Sequence, residues 1–246
     1  MRALRPYLAL AALVFLGVIV ATLPASVLLR ALPERITLDG VSGTLWDGAA
    51  EQVHLDGVAL GAFRWQLAPL ALLALRVDID IALTRPDGSL NGRVRLERDG
   101  VVEGDGLRLD LPLTTLHPEH SAASWDGRVA GTVTHVRLVN GWPVALDAQL
   151  TLTHLHAPDA ADDLGNYTVT FDPHDATPTA LLGRLHDNGG PLTVQAQLRL
   201  EQARAYRLDG DVAPRGPTSE SIARALAFLG APEPDGRRPI AITGTF

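Results

Sequence analysis

Two hundred and forty-six residues with 46% hydrophobic content, 20% charge and no cysteine describe a chain that folds around a core. The formal charge is −7, from 28 acidic and 21 basic side chains, and every basic one is an arginine. This balance excludes a basic footprint for nucleic acid, and the missing cysteine excludes disulfide scaffolds, thiol catalysis and thiolate metal sites.

The chain opens on a greasy leader. From Tyr7 to Leu23 every residue is apolar or small, and apolar character continues through Val27, Leu28 and Leu29. A stretch of roughly 20 such residues is enough for a helix to cross the hydrocarbon core of a bilayer. Arg2 and Arg5 precede it and no acid occurs before Glu34, so the positive-inside rule keeps residues 1–6 cytoplasmic and exports the remainder. A cleaved signal peptide ending near Ala25 is the competing reading. Against it, the apolar part exceeds the usual ~7–15 residues of a signal core, and Leu23 is bulky where a small residue is wanted. The expectation is a signal anchor over residues 7–29, carrying an exported β domain over residues 30–246. Arg2, Arg5 and Arg30 lie at or before the membrane edge, leaving 18 arginines against 28 acids beyond it. The exported part is therefore acidic and does not favour anionic lipid surfaces.

After the leader the dominant signal is alternation with period two, which belongs to antiparallel sheets with one buried face. Trp46-Asp47-Gly48 opens a strand-rich stretch, and Pro69 to Ala74 suits a short helical turn. Val77, Ile79, Ile81 and Leu83 alternate with polar positions that include Asp78 and Asp80. The pattern returns at Leu107–Leu109–Leu111, at Val144 to Leu152, at Tyr167–Val169–Phe171 and at Leu192 to Leu200. Turn chemistry falls at Pro86-Asp87-Gly88, Asp99-Gly100, Asn140-Gly141, Asn188-Gly189-Gly190 and Asp209-Gly210. Asn140-Gly141 followed by Trp142-Pro143 predicts a hairpin between two long strands. Trp125-Asp126-Gly127 repeats the tripeptide at Trp46, as a duplicated β unit or a chance recurrence. Thr218 to Leu229 predicts a helix, capped by Thr218 or Ser219, with Ile222, Ala225, Leu226 and Leu229 as its apolar stripe and Gly230 as its stop. It is expected to pack over an edge or open end of the sheet. The predicted fold class is mainly β: a large twisted antiparallel sheet, as an open groove, half-barrel or sandwich, with one or two short helices after the transmembrane segment.

No constellation of chemistry accompanies this fold. His154 and His156 flank Leu155, and two residues apart on a strand share a face, so two imidazoles can reach one ion. Asp159, Asp162 and Asp163 follow in a loop without supplying a third ligand at a defined spacing, and solvated strand-end histidines are the favoured reading. His117 and His120 bracket Pro118 in a loop. Ser42 in Gly40-Val41-Ser42-Gly43-Thr44 misses the nucleophile elbow by its last residue. Gly104-Asp105-Gly106 lacks the third glycine of a dinucleotide loop, and without lysine there is no Walker A sequence. The expectation is a protein that is not an enzyme and holds no cofactor or metal. The terminal run Ile240 to Phe246 suits the last strand of an outer-membrane barrel, but twelve aromatics are too few for two girdles.

Several segments carry a resemblance when taken in order. Leu23-Pro24-Ala25 leads to Val41-Ser42-Gly43-Thr44-Leu45-Trp46-Asp47-Gly48-Ala49-Ala50, then to Arg64-Trp65-Gln66-Leu67-Ala68-Pro69-Leu70. Asn140-Gly141-Trp142-Pro143-Val144 and Arg224-Ala225-Leu226-Ala227-Phe228-Leu229-Gly230 follow. Together they resemble the type II secretion system protein N family (general secretion pathway protein N) of Gram-negative bacteria, over nearly the whole chain. The resemblance implies a non-catalytic inner-membrane component of the machine that moves folded proteins from the periplasm to the exterior. It implies other secretion subunits as partners, either the inner-membrane platform or the secretin. It transfers no active-site residues. Trp46, Asp47, Gly48, Trp65, Trp142 and Pro143 are left as a structural or interaction motif, because buried Trp is common in such settings and aromatics also anchor interfaces.

Two functional readings of different class follow. The first is an anchored structural subunit of the secretion apparatus that acts through protein contacts, for example at an exposed strand edge. The alternative is a lipid- or acyl-chain-binding β-groove protein of the cell envelope, motivated by the Leu, Val and Ala on one face of each strand. Coverage separates them: a sheet closed by the helix at 218–229 leaves no groove.

Overall fold

A computed structural model describes residues 15, 17–30, 32–33, 35–97, 99–115, 125–157, 162–177 and 179–245. The chain divides into two compact units, Met1–Arg85 and Pro86–Phe246. Both are built from antiparallel strands, as the alternation predicts.

The first unit contains β1 (Ile36–Asp39), β2 (Ser42–Gly43), β3 (Asp47–Leu55), β4 (Val58–Leu67) and β5 (Val77–Arg85). They run in the order β1-β3-β4-β5, with β2 paired to β3. Asp56 and Gly57, with φ of 51° and 82°, make the tight reversal between β3 and β4. Pro69–Ala74 forms the predicted helical turn, as a 3-10 helix.

Residues 7–14 and 16 of the expected membrane span lie outside the described residues. Among those described, no helix is long and apolar enough to cross a membrane. Residues 17–21 are helical, but the helix does not continue to Leu29. Pro24, which cannot donate to a preceding turn, instead forms a bridge with Thr44, and Ala25–Arg30 follows as a 3-10 helix. Ala25 is buried against Ala50 and Trp65 of the first unit.

The second unit is a meander of β6 (Gly88–Leu96), β7 (Val102–Pro112), β8 (Asp126–Val139), β9 (Trp142–His156), β10 (Tyr167–Phe171), β11 (Ala180–Asp187), β12 (Leu192–Glu201), β13 (Ala205–Pro214) and β14 (Arg238–Thr245). Each strand pairs with its neighbour in the chain. Val133, Ala148, Phe171, Gly183, Leu198, Leu208 and Ile242 are successive register partners from β8 to β14. Partners in an antiparallel ladder share a face, so this file forms one apolar band. Gly183 is required in it, because a Cβ there would lie 2.8 Å from the Phe171 ring. Asn140 and Gly141 form the predicted β8–β9 hairpin with φ of 53° and 75°, the left-handed pair that a two-residue turn needs.

One predicted turn is corrected. Asp209 and Gly210 lie inside β13, and the reversal occurs at residues 202–204, where Arg204 has a φ of 59°. Gly210 serves close approach instead, since a Cβ there would come 2.3 Å from the Gln195 carbonyl oxygen on β12. The predicted helix forms as α1 (Glu220–Phe228). The Ser219 hydroxyl caps it by accepting from the Ile222 N–H at 3.3 Å. Ile222 and Leu226 bury their side chains against Tyr167, Val194 and Val212 near one end of the strands.

Two expected outcomes test this architecture. Leu181 is 1% exposed and packs with Phe171 and Val169, so Leu181→Ala costs about 2–5 kcal/mol in a urea unfolding measurement. Asp187 closes the β11–β12 turn with its side chain 8% exposed. Burial raises its carboxyl, but the Val194 N–H at 2.9 Å, the Gly189 N–H and Arg215 outweigh burial and hold it below the usual carboxylate range. A depressed carboxyl contributes fully above the ordinary value near ~4 and loses its contribution as pH falls through the folded value. Asp187→Asn therefore destabilises by about 1–3 kcal/mol at neutral pH and flattens the acid limb of the stability curve, measured by urea unfolding at stepped pH.

Candidate functional site

The segment Val41 to Gly48 folds into a clasp. Gly43 takes a φ of 87°, and beyond it the Thr44 N–H donates to the Asp47 carbonyl at 2.8 Å. The Asp47 N–H donates back to the Thr44 hydroxyl at 3.1 Å, which closes the loop between β2 and β3. This loop meets the end of the leader at three points. Thr44 bridges Pro24, the Leu45 N–H donates to the Leu23 carbonyl at 2.8 Å, and the Trp46 indole N–H donates to the Val20 carbonyl at 2.8 Å. The last carbonyls of a helix lack intrahelical partners, and Trp46 supplies a donor to one of them.

Trp65 holds the clasp from below. It is 2% exposed, and its indole N–H donates to the Leu45 carbonyl at 3.0 Å. Its ring stacks on Phe63 with centroids 5.9 Å apart. Gly48 is its register partner on β3, and a Cβ there would come within 2.2 Å of the indole. Four of the six motif residues, Trp46, Asp47, Gly48 and Trp65, thus converge on one place in the first unit.

Trp142 and Pro143 lie in the second unit, at the start of β9. Trp142 is buried, and its indole N–H has no partner among the described residues. Trp125 also opens a strand, but its Gly127 has a φ of 147° and sits at a register shift between β8 and β9. The two Trp-Asp-Gly tripeptides therefore do different local work.

His154 occupies a left-handed conformation (φ 51°) rather than an extended one, which breaks the shared face expected of residues two apart. Its Nδ1 lies 3.2 Å from Asp163, while the His156 Nδ1 meets the His154 carbonyl at 2.8 Å. Asp163 is held below the usual carboxylate range chiefly by the Gly165 N–H, with His154 helping against burial. No three metal-ligating side chains converge among the described residues. His117 and His120 lie outside those residues.

Two features of the second unit escape the sequence. Glu103 on β7 is buried between its register partners Arg95 on β6 and Arg137 on β8, at 3.3 and 2.9 Å. Two arginine partners satisfy both of its oxygens, as a buried carboxylate requires. The second is an apolar cavity of about 350 Å³ between α1 and the strands, floored by Leu185, Val194 and Val212.

Residues 34–241 match the family model for type II secretion system (T2SS), protein N. The chain belongs to that family. It is 27% identical over 241 residues to type II secretion system protein N of Aeromonas hydrophila, covering 94% of each chain. It is 30% identical over 243 residues to type II secretion system protein N of Vibrio cholerae serotype O1, covering 90% of each. No solved structure matches.

In this member of the protein N family the two buried tryptophans differ in one respect that unfolding can measure. Trp65→Phe loses ring volume and the bond to Leu45, whereas Trp142→Phe loses ring volume and sheds a buried N–H that has no partner among the described residues. The first substitution is expected to cost about 1 kcal/mol more than the second in urea unfolding.

Proposed function

We propose that the protein is an inner-membrane-anchored structural component of the type II secretion machinery that acts by protein contacts in the periplasm. In this reading residues 1–6 are cytoplasmic, the apolar run from Tyr7 spans the membrane, and the two β units are exported. Membership of the protein N family supports the process. The arginine-flanked leader and the acidic composition after it support the orientation.

The observation that carries the reading is the clasp at Thr44, Leu45 and Trp46. A folded unit bonded through two backbone contacts and an indole to the residues that close an apolar leader is suited to being held at a fixed height above a membrane. The six motif residues then serve as structure, and partner contact falls elsewhere. β14 pairs on one side only, with β13, among the described residues. An open ladder edge of this kind takes a partner strand through main-chain hydrogen bonds without special side chains.

In-cell photo-crosslinking tests the reading. A photoreactive residue at Ala241, on β14, is expected to capture a subunit of the inner-membrane platform or the secretin in secreting cells. Recovery of no secretion subunit from β14 or from any other exposed strand contradicts it.

A further inference from the structure

We propose that the cavity beneath α1 is a binding site for one aliphatic chain of a lipid whose head group is uncharged or zwitterionic. This goes beyond the role in secretion and does not depend on it.

The cavity exists because α1 covers the sheet incompletely. Its stripe buries only Ile222 and Leu226, and the space beside Ala225 is left open over Leu185, Val194 and Val212. At about 350 Å³ it falls within the range of small-molecule sites, roughly 300–1,000 Å³. A pocket this size usually orients its ligand with a few convergent polar groups. Here those groups are absent or occupied. The Tyr167 hydroxyl donates to the Leu164 carbonyl at 2.7 Å. Burial, with Asp187 and Asp163 nearby, pushes that phenol up to about 12, so it stays neutral. The Ser221 hydroxyl donates to Asp162. A ligand that needs no hydrogen bonds within the cavity is a hydrocarbon chain, and apolar cavities that stay dry bind such groups.

The rim selects the head group. Leu229, Ile242 and Trp125 line the mouth and are 39%, 46% and 47% exposed, giving an apolar approach. Among the described residues the single charged residue of the lining is Asp162, which repels a carboxylate or a bare phosphate at the mouth and tolerates an ammonium or a neutral head.

The test uses the full chain held in amphipol without added lipid, and a lysophosphatidylethanolamine carrying a diazirine at the end of its chain, kept below its micelle concentration so that it enters from water. Photolysis is expected to place adducts on Ile222, Leu226 and Val194. Unlabelled lysophosphatidylethanolamines of increasing chain length should compete about fourfold better per added methylene until the cavity is full. The fatty acid of equal chain length should compete less well. Ala225→Trp fills the cavity and should lower labelling by at least about tenfold, the loss expected when about two methylenes are shut out. The competition series needs no variant, so it decides the matter even if the substitution perturbs α1. Adducts confined to the leader, competition independent of chain length, or equal competition by the fatty acid each overturn the proposal.

Discussion

The Trp65 indole lies across Gly48, and the geometry of the first unit follows from that contact. A Cβ at position 48 would come within 2.2 Å of the ring, so only glycine lets the indole lie flat on β3. From there its N–H reaches the carbonyl of Leu45, the residue whose N–H donates to the Leu23 carbonyl. One buried side chain thereby sets the position of the loop, and the loop sets the position of the last residues of the leader. The adjoining Ala25 and Ala50 are small because the ring fills the space that larger residues would need.

In the second unit the constraint is a sheet face longer than its cover. The apolar file from Val133 to Ile242 crosses seven strands, while α1 is nine residues long and buries two of them. Phe171 and Leu181 close part of the face themselves, helped by Gly183, which accepts the Phe171 ring. Where α1 lies over the strand ends the fit is looser, and a cavity results. The same mismatch that leaves the face incompletely filled makes the floor of that corner apolar, since Leu185, Leu192, Val194, Val212 and Ile240 come from the strands and Ile222 and Leu226 from the inner stripe of the helix.

Strand alternation made most of this fold legible. Period two at Val77, Leu107, Val144, Tyr167 and Leu192 located five strands, and the Asn140-Gly141 pair located a hairpin, because both signals are local. Asp209-Gly210 misled because the same dipeptide serves a turn or a close approach, and only the partner strand decides which. The helical leader was predicted to run through Pro24 to Leu29; Pro24 instead pairs with Thr44, a tertiary contact that outweighs continued apolar character. The clasp, the Arg95–Glu103–Arg137 triplet and the cavity all depend on the exact register between elements, which sets which side chains meet. Residue type hints at them, as four of the six motif residues show by converging, but the pairing itself is not written in any short window.

Hydrogen exchange on the full chain in a bilayer tests most directly whether the leader is locked to the first unit. The Leu45 amide and the Trp46 indole proton should exchange as slowly as the central amides of β3, because both are bonded to the closing residues of the leader. Removal of residues 1–23 should release both to rapid exchange while β3 stays protected. Free-peptide exchange at both positions in the intact, membrane-embedded protein would contradict the account.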